Sequence, residues 1–380
     1  MLNKIFKIKD SIDIYVTDTE THDKVLLTFH RITTRERTEI LTSRTVAEFL
    51  ALLDGKTNTK KILNQMGNFD ENQATSLISY LTSERLIIDV NDSQIIDNRY
   101  KRQITFFDDM FPKRSGIETQ AILAEKKIVI LGCGAVGSHI AEILVRAGIL
   151  NFILVDYKTV SENHLARHLF VRQDDIGKSK VNALKNYLEN INSLVKIQVF
   201  HEQLLPNTDL DNWIDDNTDL IINTCDEPYI GHTSLKVGRF AHSKNIPIYI
   251  GGGFDAHLMS SGELINPPNT PCIDCAQKTF NIALKDWKPT YSNVVNDINT
   301  VTESYHSDLP KIENYQIGGA GGIAMMSGFS AYLSALTLLR FLAENEFYQY
   351  KTVRYEYLPN SGEMTEFEME KQEKCNVCNR

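Results

Sequence analysis

The chain is short of long apolar runs, of basic charge and of cysteine, and each shortage excludes a class of function. Its most apolar stretch, Ala331 to Ala343, is interrupted by Arg340 and falls short of the roughly 20 apolar residues that a bilayer crossing needs, so a buried helix is expected and no membrane partner. The first residues, Met1 to Asp10, carry positive charge, but neither an apolar run nor a small-residue cleavage site follows. A signal peptide is therefore not expected, and the chain is placed in the cytoplasm. Forty Lys and Arg stand against 49 Asp and Glu, leaving a net charge of −9. A nucleic-acid partner, which requires a basic face to displace phosphate counterions, is not expected either. Cysteine occurs six times, never between residues 276 and 374. Internal repeats and low-complexity segments are also missing.

What is present is an ordinary globular balance, 42% hydrophobic and 23% charged, over 380 residues, enough for two or three domains. Residues 1–95 have a pattern of their own. Alternating strands are expected at Ile12 to Val16 and Val25 to Phe29, then helices from Thr45, Thr57 and Asp70 and a strand at Leu86 to Ile88. Thr45 with Glu48 suggests a capping box, and Asp54-Gly55 a helix stop. The expectation is a small winged-helix-like α+β domain. Residues 96–125 read as a polar connector containing Arg99-Tyr100-Lys101-Arg102-Gln103. From residue 126 to 380 short apolar runs (Ile128 to Leu131, Phe152 to Asp156, Ile197 to Phe200, Asp219 to Thr224, Pro247 to Ile250) alternate with helical segments. That alternation predicts an α/β, Rossmann-like, doubly wound and mostly parallel sheet.

The strand Ile128 to Leu131 runs into Gly132-Cys133-Gly134-Ala135-Val136-Gly137 and then a helix. Glycines let the backbone turn tightly and approach a ligand, and the helix N-terminus presents free N–H groups to phosphate. The next strand ends at Asp156, where a carboxylate accepts from ribose hydroxyls. A dehydrogenase would show the same loop and the same acid. Arg167 and Lys180, which follow, are cations that a dehydrogenase has no general need for.

At these residues the segment Lys126 to Asp226 resembles the ubiquitin-activating-like adenylating superfamily of ThiF and MoeB type. The resemblance implies ATP as substrate, with Gly132, Gly134, Ala135, Val136, Gly137 and Asp156 at the nucleotide. It also implies Arg167 and Lys180 at the phosphates and Asp226 holding Mg²⁺. It further implies a homodimer in which Arg102, within the Arg-Tyr-x-Arg-Gln segment, reaches the neighbouring subunit's site. The bottom-up chemistry agrees, because carboxylate attack on the α-phosphorus spreads negative charge that fixed cations and Mg²⁺ stabilise. Asn163-His164-Leu165-Ala166-Arg167-His168 departs from the family's usual Ser-Asn-Leu-x-Arg-Gln, histidines standing in place of amides. Lys158 stands where some members carry an acid.

Cys272-Ile-Asp-Cys275 and Cys375-Asn-Val-Cys378 form two CxxC pairs, read as a structural Zn²⁺ site that ties down the tail rather than as disulfides. Cys133 and Cys225 remain, both expected as small buried residues beside the nucleotide. With no cysteine between 276 and 374, transfer of the acyl group to an enzyme thiol there is not expected. The N-terminal module is similar to leader-binding domains of ribosomal peptide pathways. The whole order of modules resembles the peptide-maturation branches of the superfamily, those of microcin C and pantocin A. This implies a precursor peptide as partner, its leader held by strand addition. A glutamate side chain activated for cyclisation is the favoured substrate, with a peptide C-terminus or a ubiquitin-like sulfur carrier as the alternatives. Gly251 to Gly253 read either as a flexible backbone approaching the substrate carboxylate or as a turn with unusual dihedrals. Gly318 to Gly322 are expected to permit close backbone packing near the active site, and Ala276 to Gln316 to form a mobile loop over the peptide.

Overall fold

The computed structural model describes residues 1–67, 70–90, 98–111, 114–227, 230–252, 259–283, 322–344 and 352–378. The chain divides into two units, Met1–Ile122 and Leu123–Arg380. In the first, Phe6–Ile8 (β1) pairs antiparallel with Ile87–Asp89 (β5). Alternate residues Val25, Leu27 and Phe29 of Lys24–Arg31 (β3) are buried, the period-two pattern of a strand with one covered face. This strand is the middle of an antiparallel meander between Ile12–Asp18 (β2) and Arg37–Ser43 (β4). No residue of β4 is fully buried, so its composition carries no apolar alternation, and the strand was not expected.

Three helices, Arg44–Ala51 (α1), Thr59–Met66 (α2) and Glu71–Ser83 (α3), add Phe49, Leu50, Ile62, Leu63, Ile78 and Leu81 to the core of this unit. Asp70 caps α3, its carboxylate accepting from the Asn72 and Gln73 N–H groups, a contribution of about 1 kcal/mol. The expected cap at Thr45 is overturned. β4 runs straight into α1, Ser43 takes the N-cap position without a side-chain bond, and Thr45 lies inside the first turn.

The segment read as a polar connector contains two helices, Lys101–Met110 (α4) and Gly116–Glu125 (α5). α4 buries Ile104, Phe107 and Asp109. The Asp109 carboxylate accepts from Ser11 Oγ at 2.9 Å and Thr33 Oγ1 at 2.8 Å, and the Lys9 ammonium lies 3.7 Å away. The helix bearing Arg102 is thereby clamped to the segment between β1 and β2 and to the turn after β3.

In the second unit the expected parallel sheet is present. Lys127–Leu131 (β6), Asn151–Val155 (β7), Lys196–Phe200 (β8), Leu220–Asn223 (β9) and Ile248–Ile250 (β10) are parallel, and Glu263–Ile265 (β11) adds antiparallel at one edge in the order β11-β10-β9-β6-β7-β8. Four of the five residues of β6 and all four of β9 are buried, as continuous apolar strands covered on both faces should be. The intervening helices are Ala135–Arg146 (α6), Lys180–Ile191 (α7) and Ile230–Lys244 (α8). Chain order runs outward from β6 through β7 to β8 and resumes on its other side with β9, so the switch point lies between β6 and β9.

Two readings beyond the sheet need correction. The expected polar loop from Ala276 begins instead as helix Ile273–Ala283 (α9). The rest of that segment, with Gly253 and Gly318 to Gly321, lies outside the described residues. The apolar stretch at Ala331 belongs to a longer helix, Ala324–Glu344 (α10), which has the length and composition to cross a bilayer. It packs against α6 and buries Ala331, Ala335, Leu338 and Phe341. A hairpin of Val353–Leu358 (β12) and Glu363–Glu368 (β13) follows.

Candidate nucleotide site and cysteine cluster

Parallel pairing sets Leu131 opposite both Val155 and Asn223, and Asn223 opposite Ile250. The residues that follow these strands, Gly132, Asp156, Thr224 to Asp226 and Gly251, therefore share one edge of the sheet, where ligands bind in open α/β sheets. They line a cavity of about 490 Å³, within the usual range for a small-molecule site.

Gly132 has φ +90° and packs so closely on the next strand that a Cβ would meet the Thr224 backbone at 2.9 Å. A Cβ at Gly137 would lie 2.1 Å from the Gly132 carbonyl oxygen. Only glycine allows the turn and the helix to close on each other here. Thr224 Oγ1 donates to the Gly132 carbonyl at 2.6 Å and pins the turn, a role its place after an apolar strand did not reveal. Gly134 takes the N-cap of α6 without a side-chain bond, which leaves the first N–H groups of that helix for a ligand.

Asp156 accepts from the Cys133 and Lys158 backbone N–H groups, each at 2.8 Å. Its Oδ2 is 3.7 Å from the ammonium of Lys180, the first residue of α7 and only 3% exposed. Exposed Arg167 and Asp226 line the same cavity with Gly132, Gly134, Ala135 and Val136, while Gly137 sits directly under the turn. Arg102 is an exposed residue of α4 in the first unit.

The two histidines of the departing motif also line the cavity. His164 Nδ1 accepts from the Ser161 N–H at 2.9 Å, and its ring meets His168 edge-on at 4.6 Å between centroids. Burial, with the charges of Lys180 and Arg167, lowers the His164 pKa. His168 is pushed down to about 3 by burial, then by Lys180, His164 and Arg167, opposed by the His164 backbone. At the rim Glu227 accepts from Tyr157 and pairs with Lys158. Burial would lower Lys158, but the Glu227 carboxylate outweighs it and holds the ammonium above its usual range. Burial, then Asp156, raises the Cys225 thiol to about 12, and burial, then Asp156, raises the Cys133 thiol well above its usual range. Both thiols are therefore protonated at neutral pH, which disfavours either as a nucleophile.

The four remaining cysteines converge as expected. Cys272 Sγ is 3.7 Å from Cys275 and 3.5 Å from Cys375, and Cys275 is 3.6 Å from Cys378. Bonded sulfurs would stand about 2.05 Å apart, whereas thiolates around a tetrahedral metal with bonds of about 2.3 Å stand about 3.8 Å apart. The donor set thus fits a metal ion better than disulfides, and all four sulfurs lie within 4.8 Å of one another. Cys272 precedes α9 by one residue and Cys375 follows β13, so the cluster ties the tail to the start of a helix.

The fold is shared over its whole length with E. coli MccB crystallised with ATP, at a TM-score of 0.66 and 19% identity over 98% of this chain and 99% of that one. PaaA is similar too, at a TM-score of 0.67 and 19% identity over 95% and 99%. Among curated relatives, the adenylyltransferase and sulfurtransferase uba4 of Aspergillus niger is 31% identical over 195 residues, 48% of this chain and 37% of that protein. The chain spans less than half the length of such relatives. Residues 100–377 match the ThiF family, and the chain belongs to that family.

Proposed function

We propose that this chain uses ATP to adenylate a carboxylate on a ribosomally made precursor peptide, as a step in peptide antibiotic maturation. The observation that carries the proposal is the convergence of the Gly132 turn, Asp156, Arg167, Lys180 and Asp226 on one cavity. A carboxylate oxygen attacks the α-phosphorus, the bond to the bridging oxygen breaks, and pyrophosphate leaves with that electron pair. The α6 N-terminus and glycine turn cradle the phosphates, Asp156 takes the ribose, and Lys180 and Arg167 stabilise the charge that develops. Mg²⁺, when bound at Asp226, neutralises charge on the phosphate oxygens. Arg102 completes the site of the neighbouring subunit in a homodimer. The cysteine cluster holds Zn²⁺ structurally.

The leader is proposed to add as a strand to the first unit, whose meander has β2 and β4 as its edges among the described residues. Crystals of MccB with the MccA peptide support a peptide partner by analogy of fold. The proposed carboxylate is a glutamate side chain that then cyclises within its own peptide; Cys225, the thiol that lines the cavity, is held protonated and is not proposed to take up the acyl group. A peptide C-terminal carboxylate is the second reading.

ATP–pyrophosphate exchange tests the proposal. Exchange should require the precursor peptide and be lost in Arg102→Ala and Asp226→Ala. Peptides lacking either the internal glutamate or the free C-terminus identify the carboxylate. Exchange that needs no peptide, or that a carrier protein ending in Gly-Gly stimulates instead, overturns it.

A further inference from the structure

We propose that His168 is a direct contact for the nucleotide, donating a ring N–H to a phosphate oxygen held between Lys180 and Arg167. The inference rests on the adenylating reading above and adds to it a residue at which the chain departs from its family.

His168 lines the cavity but is only 4% exposed; the His164 backbone lies near its ring, yet neither ring nitrogen reaches hydrogen-bond geometry with it or with any other group among the described residues. Burying a polar group without a partner costs free energy, so such groups are rare unless a ligand or water completes them. Its surroundings indicate what that ligand is. His164 meets the ring edge-on on one side and Phe170 lies 5.9 Å away on another, which confines the imidazole. His164 already uses Nδ1 to accept from Ser161, and the nearby charges acting on His168 are those of Lys180 and Arg167. A third cation at this point would be repelled, whereas an uncharged ring still offers an N–H. An oxygen that carries negative charge satisfies that donor and both cations at once, and phosphate is the group of ATP that supplies it. The amide of a glutamine provides the same donor without charge, which explains how histidine replaces it without changing the charge of the site.

The test uses the full-length protein and calorimetric titration with three probes: a non-hydrolysable ATP analogue, inorganic tripolyphosphate and adenosine. His168→Ala should weaken the analogue and tripolyphosphate by about tenfold or more, the loss expected for one hydrogen bond to a charged group. It should leave adenosine unchanged. His168→Gln should stay within about threefold of the parent for all three probes, because the amide still donates. In the unsubstituted protein, nitrogen-15 spectra of labelled histidine should show the His168 ring signals move on adding tripolyphosphate. That measurement decides the matter even where His168→Ala fails to fold. Unchanged affinity in His168→Ala, a loss confined to adenosine, or immobile ring signals at saturation overturns the inference and leaves the adenylating reading intact. An unsubstituted protein that binds none of the three probes overturns the reading itself.

Discussion

Each unit of this protein buries a lysine beside an aspartate, and the two pairs differ in how completely they are satisfied. In the first unit Lys9 and Asp109 are 5% and 4% exposed; Asp109 accepts two hydroxyls, and Lys9 also reaches the Asp108 carbonyl at 3.4 Å. In the second unit Lys180 lies 3.7 Å from Asp156, a carboxylate already accepting two backbone N–H groups, and neither ring nitrogen of the neighbouring His168 reaches hydrogen-bond geometry among the described residues. A closed network specifies a fold, and an open one costs stability unless something arrives to complete it. The contrast separates scaffold from site without reference to any relative.

The largest effect expected from breaking this contrast is in the closed network. Asp109→Ala leaves the buried Lys9 ammonium with the charge of Asp108 alone and takes the acceptor from the Ser11 and Thr33 hydroxyls, which should cost about 3 kcal/mol of stability in the first unit. Urea unfolding followed by hydrogen exchange should locate that loss within residues 1–122, with ATP-analogue affinity unchanged. If nucleotide affinity falls as steeply as stability, Asp109 is not merely scaffold.

Lys180→Met should do the reverse. Removing the cation proposed to stabilise developing phosphate charge should reduce pyrophosphate exchange about 10²–10³-fold. The melting temperature should hold or rise, because the Asp156 carboxylate keeps the Cys133 and Lys158 backbone N–H bonds when the lysine goes, so no buried charge is left without partners. A fall in stability matching that of Asp109→Ala would erase the distinction between the two pairs.

Most of the second unit is legible in the chain because its signals are local. The strands β6, β7, β9 and β10 are built on continuous apolar runs, and Gly137 is required by the close approach of the Gly132 carbonyl five residues before it. The meeting of Asp156, Lys180 and Asp226 follows from the rule that parallel strands open their ligand sites at one edge. The Cys272 and Cys375 pairs announced a four-cysteine cluster able to hold a metal despite a long separation, since thiolate spacing within each pair is itself local. What stayed hidden depended on distant partners. β4 has no fully buried residue, α4 owes the burial of Asp109 to Ser11 and Thr33, and Thr45 lost its cap because a strand ends at Ser43. His168 was visible as a substituted amide, but its unmet hydrogen-bonding capacity emerges only when the cavity is built around it.

The smallest predicted effect probes that unmet capacity through pH. Held at about 3 in the folded chain against 6.5 when unfolded, His168 is neutral in both states above pH 6.5, and its contribution to stability is complete there. As pH falls from 6.5 toward 3 the unfolded chain takes up a proton that the folded chain refuses, so stability is lost progressively. At pH 5, about 1.5 units into that window, the loss amounts to about 2 kcal/mol. Urea unfolding at pH 7 and pH 5 should therefore show the parent losing about that much more than His168→Gln, which has no titrating ring at this position. His164 remains in both proteins and largely cancels. A saturating ATP analogue should shrink the difference, because a phosphate beside the ring supplies the negative charge that makes protonation less costly. A pH difference of the same size with and without the analogue would mean that the ring and the phosphates never meet.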